Sequence, residues 1–554
     1  MIDQTLVRDW DVIVIGSGMG GGTIGRCLAE AGKTVLFLEK GHAGQRTEET
    51  PINISMADPV ARAVRGYWPD PIEGQVDGKT RRFFAPLGSG SGGSSVFYAA
   101  TLERPEPHDL DDSPDRPHPS GGWPVSYEEM APWFDKAQAM YRLHGEPDPL
   151  SDRPTPSLAP PPPLGEGDAA IIERLRANGI HPYRLHTALS YLPGCAECLG
   201  RKCPRPCKMD GRSAGLEPAL ATGLAALLDR CEVTALRGRP GHIDEVEVLR
   251  DGQTYLIAAK QVVLAAGAYS SPRLLLASSA PHWPNGCANG NDQVGRYLMF
   301  HLDERFALWP GKSARFAGAS KAVGFRDLYY QNGKRFGMVQ AMGVDFSYGE
   351  IAFHLKSLVE RSALRRFRLL LELTRVPAFV ASWLLGGAKL YVGLLEDFPM
   401  PENRILLDKA DPRAIRFDYT IGPELRSRRK PYGAVSSPSL TIKGGLAMAD
   451  LVQSMKMGSV SRPNFATKPS QPKAPMTMTQ CPSEILRIRP SVGSMIWLRA
   501  HIPHPKTGRS LARSSKAASL LKRIASEFSR SGLISWATAR IWSVGTASAP
   551  RSTG

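Results

Sequence analysis

An α/β fold follows from three stretches of the sequence. Asp11 to Gly41 reads as a strand, a glycine turn, a helix, a second strand and an acid; Arg81 to Ala100 carries a second glycine-rich loop; Phe306 to Gln340 alternates as strands do. The first two predict a Rossmann-like dinucleotide-binding domain, and the third predicts an interleaved α+β domain containing an antiparallel sheet.

In the first stretch, Asp11 to Ile15 is a short β-branched run of a length that suits a buried parallel strand. Gly16, Gly18 and Gly21 follow in G-x-G-x-x-G spacing. A helix is predicted from Thr23 to Ala31 with Gly32 as its stop, and Val35 to Leu38 forms a second strand ending in Glu39. Gly16 permits the tight turn, Gly18 lets the backbone approach a pyrophosphate, and Gly21 lets the helix close on the strand. The helix N-terminus offers N–H groups to a diphosphate, and Glu39 offers an acceptor to a ribose hydroxyl. These residues specify a dinucleotide without separating FAD from NAD.

Thr47 to Lys79 shows turn residues and no clear period. In the loop that follows, Gly88, Gly90, Gly92 and Gly93 keep side chains away from a ring or phosphate, and Ser94 and Ser95 can cap a helix. Ser126, with Glu129 three residues on, forms a capping box for a helix running toward Leu143. Glu146 to Leu164 is proline-dense and predicts a stiff extended connection. Cys195, Cys198, Cys203 and Cys207, in C-x2-C-x4-C-x3-C spacing, hold half of the eight cysteines. Four thiolates so close could bind zinc or an iron–sulfur cluster; buried free thiols or a structural loop is the other reading. Gly215 to Leu228 reads as a helix, Arg230 to Val233 as the lead into a strand, and Val246 to Ile257 as a hairpin about Asp251-Gly252. Gln261 to Ser279 supplies a strand, Gly267, and a helix with Pro272 in its first turn.

The 554 residues suffice for two to four domains, and 42% hydrophobic with 22% charged residues is ordinary for a soluble globular chain. MIDQTLVRDW has no apolar signal-peptide core, so cytoplasmic residence is expected. Val376 to Gly393 is apolar, but Pro377, a glycine pair and Lys389 interrupt it well short of the roughly 20 residues of a span. It predicts a buried or substrate-lining helix, with an interfacial helix as the alternative; membrane association is not expected. The net charge of +16 is concentrated: from Lys430 onward 18 Lys+Arg stand against three acids, whereas the preceding residues carry 51 against 50. This excludes a nucleic-acid-binding body and leaves a basic-tail binder of anionic membrane or nucleic acid as one alternative. The tail has no periodic basic face, so no nucleic acid is expected.

From about residue 8 to 426 the chain resembles the glucose-methanol-choline (GMC) family of FAD-dependent oxidoreductases. Gly92-Gly93-Ser94-Ser95 is similar to the family's first signature, and Trp123-Pro124-Val125 with Tyr127 and Trp133 to the segment after it. Gly267, Ala268, Ser270, Ser271, Pro272, Leu274 and Leu275 resemble the second signature; Tyr98 stands where the family commonly has Asn or His. The resemblance implies FAD, with its ADP half at Gly16, Gly18, Gly21 and Glu39, its diphosphate and flavin bordered by Gly92, Gly93 and Ser94, and backbone at Val233 near the adenine. Gly267 joins the same cofactor site. The implied reaction oxidises a CH–OH group of a sterol, sugar, polyol or other alcohol by hydride transfer to flavin N5, with O2 or another redox partner as acceptor. The implied plan is an FAD-binding domain in two parts (8–145 and 213–300), a proline- and cysteine-rich connection (146–212), a substrate-domain segment (301–426), and an atypical basic tail (427–554) expected to be disordered or outside the family pattern. The family's histidine segment has no counterpart after Lys430, so the catalytic residue is unassigned and His301 reads as structural. A flavin-binding protein impaired in catalysis is therefore the second reading.

Overall fold

The computed structural model describes residues 5, 8–46, 58–153, 155–258, 260–308, 321–331, 333–345, 348–360, 367–385, 388–434, 486–491 and 493–495. The chain divides into two compact units, residues 1–346 with 385–487, and 347–384 with 488–554.

In the first unit, strands β1 (Val12–Ile15) and β2 (Val35–Leu38) are joined by helix α1 (Met19–Glu30). Strands β3 (Ala225–Leu228) and β4 (Val262–Leu264) complete a parallel sheet in the order β4-β1-β2-β3. Ile13 pairs with Val262, Val12 with Val35, and Val35 with Ala225. Successive side chains of a strand point to opposite faces. Ile13, Ile15, Leu36 and Leu38 therefore share one core with Val246, Val248 and Ile257 of a three-stranded antiparallel sheet (Cys231–Arg239, His242–Arg250, Gln253–Ala258) and with Leu274 of helix α2 (Gly267–Ala277). Val12, Val14, Val35 and Phe37 share the other core with Ala29 of α1 and Leu216. Both faces of β1 and β2 are covered, which explains their unbroken apolar runs. A Cβ at Gly25 would lie 2.1 Å from the Phe37 ring, so glycine lets α1 pack directly on the sheet.

Two local expectations give way here. Gly215 to Leu228 is not one helix: a π-turn (Gly211–Leu216) and a short helix (Glu217–Ala221) precede β3. The Ala225-Ala226-Leu227-Leu228 run has helical composition, but pairing along β2 outweighs that weak preference. Pro272 is the sixth residue of α2 rather than part of its first turn, because the helix already begins at Gly267.

The second sheet is antiparallel, as expected. It contains β5 (Leu302–Leu308), β6 (Val323–Phe325), β7 (Val339–Asp345) and β8 (Lys389–Leu395) in the order β5-β8-β7-β6, with Tyr183–Arg184 beyond β6. Ile171, Ile172 and Leu175 of the helix Glu166–Ala177 share a core with Phe325, Val339, Tyr391 and Leu395. The buried ammonium of Lys389 bonds Asp168 of that helix. The apparently aperiodic 47–79 region ends in a hairpin strand, Ile72–Val76, paired with Lys79–Phe83 about Asp77-Gly78; residues 47–57 lie outside the described residues.

The second unit contains helices α3 (Tyr348–Glu360), α4 (Arg368–Leu373) and α5 (Arg375–Leu385). Thr374 links the last two with helical backbone, and Glu372 pairs with Arg375 at 2.7 Å and with Lys356 of α3 at 3.8 Å. Val376 to Gly393 is thus part helix, part strand β8. The expected burial of this segment is corrected: Thr374, Ala378 and Ala381 are buried, whereas Phe379 and Trp383 are exposed. Small residues occupy the inward positions of each turn and large apolar ones the outward positions.

Candidate dinucleotide site

The site lies at the carboxyl end of β1, where the chain leaves for β2 on one side while β4 lies on the other; crevices of open α/β sheets form at such points. Gly16 has φ +96°, and a Cβ there would lie 2.6 Å from the Ala265 carbonyl oxygen. A Cβ at Gly21 would lie 1.9 Å from the Gly16 carbonyl oxygen, so α1 closes on the turn as its spacing predicts. Gly18 is the N-cap of α1 and no side chain caps that end, which suits the helix to an anion.

Two further segments meet this turn. A Cβ on Gly93 (φ +55°) would lie 3.0 Å from Gly18 Cα, and one on Gly211 would lie 2.6 Å from the Gly18 carbonyl carbon. Gly92, at φ +87°, has no room for a side chain against Val96 and Arg212. Three glycine backbones, from residues 16–18, 92–93 and 211, therefore pack with no intervening side chain.

Ser17, fully buried, fastens these pieces. Its N–H and hydroxyl donate to Glu39 Oε2 at 3.1 and 2.7 Å, and its oxygen accepts from the Gly92 N–H at 3.2 Å. Glu39 Oε1 accepts from the Gly41 N–H at 3.1 Å. Burial pushes the Glu39 carboxyl up, opposed by the bonds from Ser17 and Gly41. Ser94 Oγ accepts from the Gly88 N–H at 2.9 Å, while Ser95 Oγ donates to the Gly92 carbonyl at 2.6 Å and accepts from the Gly211 N–H at 2.9 Å. Asp210 caps the π-turn, accepting from the N–H groups of Arg212 and Ser213.

Gly16, Gly18, Gly21, Glu39, Gly92, Gly93 and Ser94 are thus brought together. Gly267 opens α2 at φ +83° just beyond Ala265 and Ala266, against which Gly16 packs. Val233 lies in the apolar core with Ile13 and Leu36, its backbone paired with Val248 just before a ladder irregularity. Ser95 was expected only as a helix cap and as part of the first signature, and Ser17, Asp210 and Gly211 were not singled out by the sequence. Asp210 with Ser213 is a readable cap pattern; nothing local marks the others.

The cysteine loop behaves differently from the metal expectation. The Cys207 thiol donates to Cys195 Sγ at 2.9 Å, and Cys198 bonds Cys203, so the thiols face one another in pairs. Among the described residues no group of three or more His, Cys, Asp or Glu is placed to hold a metal, which leaves zinc or an iron–sulfur cluster without support. Burial pushes the Cys195 thiol up to about 11, whereas backbone N–H groups of Lys208, Arg205 and Cys207 outweigh burial and hold Cys203 below its ordinary value. The buried Lys208 ammonium, lowered to about 8 by desolvation, donates to the carbonyls of Cys198, Arg201 and Tyr98, tying this loop to the residue that follows the second glycine loop. His301 is exposed, with Nδ1 3.4 Å from the Leu395 carbonyl oxygen. His501 and His504 lie outside the described residues.

The fold and the glycine cradle define a dinucleotide-binding α/β protein. The sequence model described as GMC oxidoreductase matches residues 11–303, and the chain belongs to that family. It is 29% identical over 372 residues to 2-methyl-1,2-propanediol dehydrogenase of Mycolicibacterium austroafricanum, covering 62% of this chain and 63% of that one. It is 29% identical to 6'''-hydroxyparomomycin C oxidase of Streptomyces lividus (54% and 56% covered), and 24% identical to the fructose dehydrogenase large subunit of Gluconobacter japonicus (74% and 78% covered). The chain thus spans less than two thirds of the length of the first two relatives. Among solved structures, pyridoxine 4-oxidase from Mesorbium loti aligns at 18% identity with a TM-score of 0.48, covering 80% of this chain and 86% of that one.

Proposed function

We propose that the cradle binds FAD and that the protein oxidises a CH–OH group of a small polyhydroxylated alcohol. The observation that carries this reading is the meeting of Gly18, Gly93 and Gly211, whose missing side chains leave backbone free to border a diphosphate at an uncapped helix end. Family membership favours FAD over NAD, and the relatives' names, a diol dehydrogenase, an aminoglycoside oxidase and a fructose dehydrogenase, favour a polyol or sugar substrate.

FAD, when bound, supplies the hydride acceptor at N5. The chain's own part is to bind and orient. Gly16, Gly18 and Gly21 shape the turn beneath the ADP half, and Glu39, held by Ser17 and Gly41, keeps acceptor capacity for a ribose hydroxyl. Gly92, Gly93 and Ser94 border the diphosphate and flavin, Gly267 stands beside the turn at Gly16, and the Val233 backbone is assigned to the adenine end by the family resemblance, its side chain lying in the apolar core. The electron acceptor is O2 or another redox partner; oxygen uptake during turnover separates the two.

The test is the absorbance spectrum of the purified protein, followed by anaerobic addition of diols and sugars. Flavin absorbance bands in the visible blue that bleach with a polyol are the expected result; a colourless protein that gains no flavin on reconstitution refutes the reading. A second reading, a flavin protein impaired in catalysis, is favoured by one observation: after Lys430 the only histidines, His501 and His504, lack the family context. A yellow protein that no alcohol bleaches supports it.

A further inference from the structure

The cysteine loop is left without a role once a metal is set aside. Leu189 and Lys208 face each other in a bridge, and the Ser190 N–H bonds the Cys207 carbonyl at 2.7 Å, so the loop between them closes at its base. Within it Glu197 and Cys198 hold left-handed backbone, at φ +57° and +48°, which residues other than glycine adopt rarely. The Glu197 N–H bonds Cys195 Sγ at 3.3 Å across that turn. The two halves of the loop then meet through sulfur: Cys207 Sγ lies 2.9 Å from Cys195 Sγ, and Cys198 bonds Cys203.

The spacing favours pairs over a cluster. Thiolates held tetrahedrally at about 2.3 Å from one zinc ion would stand about 3.8 Å apart. The 2.9 Å between Cys195 and Cys207 is shorter than that edge and lies on the way to a bonded separation of about 2.05 Å. Cys195 and Cys198 are partly exposed, whereas Cys203 and Cys207 are buried. Each pair therefore joins a thiol that a small reagent reaches to one that its partner reaches. Closing the pairs would also fix something beyond the loop. Lys208 Nζ ties the Cys198 and Arg201 carbonyls to that of Tyr98, and Gly211 packs against Gly18 just beyond it.

We propose that this loop is a dithiol–disulfide site, closing as Cys195–Cys207 and Cys198–Cys203 by exchange with a low-molecular-weight disulfide. A Cys195 thiolate attacks one sulfur of the reagent, forming a mixed disulfide and expelling one reagent thiolate. Cys207 Sγ then attacks Cys195 Sγ, and the second reagent thiolate leaves. The two protein thiols give up two electrons to the reagent disulfide, and their two protons end on the released thiols. Cys198 and Cys203 react in the same way, and an excess of small thiol reverses both steps.

The test is non-reducing peptide mapping of the full-length protein after equilibration with glutathione disulfide or with dithiothreitol, remaining thiols being blocked with iodoacetamide. Trypsin separates 185–201, which carries Cys195 and Cys198, from 203–208, which carries Cys203 and Cys207. In glutathione disulfide the expected result is one species joining the two peptides, lighter than their sum by the about four hydrogens of two bonds. Blocking of the four thiols should fall about tenfold or more against the dithiothreitol sample. The exposed Cys27 should take up glutathione, which certifies that exchange occurred. In Cys207→Ser the peptides should stay joined through Cys198 and Cys203, while Cys195 carries glutathione or the blocking group. Modification of Cys198 in that variant refutes the pairing. Separate peptides in a sample whose Cys27 is modified overturn the proposal. So does zinc or iron that purifies with the wild type and not with C195S/C207S.

Discussion

Replacing Ser17 with alanine tests how the cradle is held. The hydroxyl makes a charge-assisted bond to Glu39 at 2.7 Å and accepts the Gly92 N–H at 3.2 Å, all in buried surroundings. Losing the first bond removes about 1.5–3 kcal/mol, and leaving the Gly92 N–H without its acceptor costs about 1–3 kcal/mol. Because the Ser17 N–H still reaches Glu39, a net loss of about 3 kcal/mol is expected. Burial holds the Glu39 carboxyl above its ordinary range, so below that range it is protonated in both folded and unfolded states. As pH rises toward the raised folded value, the unfolded state ionises first and stability falls. Ser17→Ala removes a donor to the ionised form, so its deficit should grow as rising pH ionises the folded carboxyl, and about pH 5 and pH 8 serve as the two conditions compared. Urea denaturation of the apoprotein at these pH values measures the deficit, and flavin titration should show affinity weakened about tenfold or more. A variant within about 0.5 kcal/mol of wild type at both pH values, with unchanged flavin binding, refutes this account of the cradle.

Four further outcomes are expected. Gly211→Ala, whose Cβ would press on Gly18, should reduce flavin retention more than global stability, read by flavin-to-protein ratio against melting temperature. Arg326 donates to Glu106 at 2.8 Å and Glu103 at 3.2 Å within a buried cluster, so Arg326→Met should destabilise by about 3–5 kcal/mol in urea. Burial and Asp109 raise Glu396 to about 7, so it contributes stability at low pH that is lost between about 4.5 and 7; Glu396→Gln should flatten the pH–stability curve there. Cys195, raised to about 11, should be alkylated at pH 8 at least about tenfold more slowly than the exposed Cys27, as peptide mass mapping would show.

The parts of the fold that could be read from sequence are those whose causes are local. Strand β1, the glycine turn, α1, β2 and Glu39 lie within 30 residues, and each residue's role is fixed by its neighbours. The hairpin about Asp251-Gly252 and the Ser126 cap were legible for the same reason, with Ser126 and Glu129 bonded reciprocally. Strand β3 was not, because its Ala-Ala-Leu-Leu composition favours helix and only pairing with β2 makes it a strand. Gly211 was missed because its requirement comes from Gly18, nearly two hundred positions away in the chain. The cysteine spacing announces a cluster but not which thiols meet, and composition alone does not say which face of α5 meets solvent.

The placement of β1 also has a temporal consequence. Its partner β2 follows within a few turns of chain, but its other neighbour does not exist until Val262 has been synthesised to meet Ile13. On the ribosome, the early strands and α1 must wait with one sheet edge open, a state that invites mispairing. Gly93 and Gly211 reach Gly18 during that wait, so the three glycine segments can meet before Val262 completes the sheet and covers its open edge.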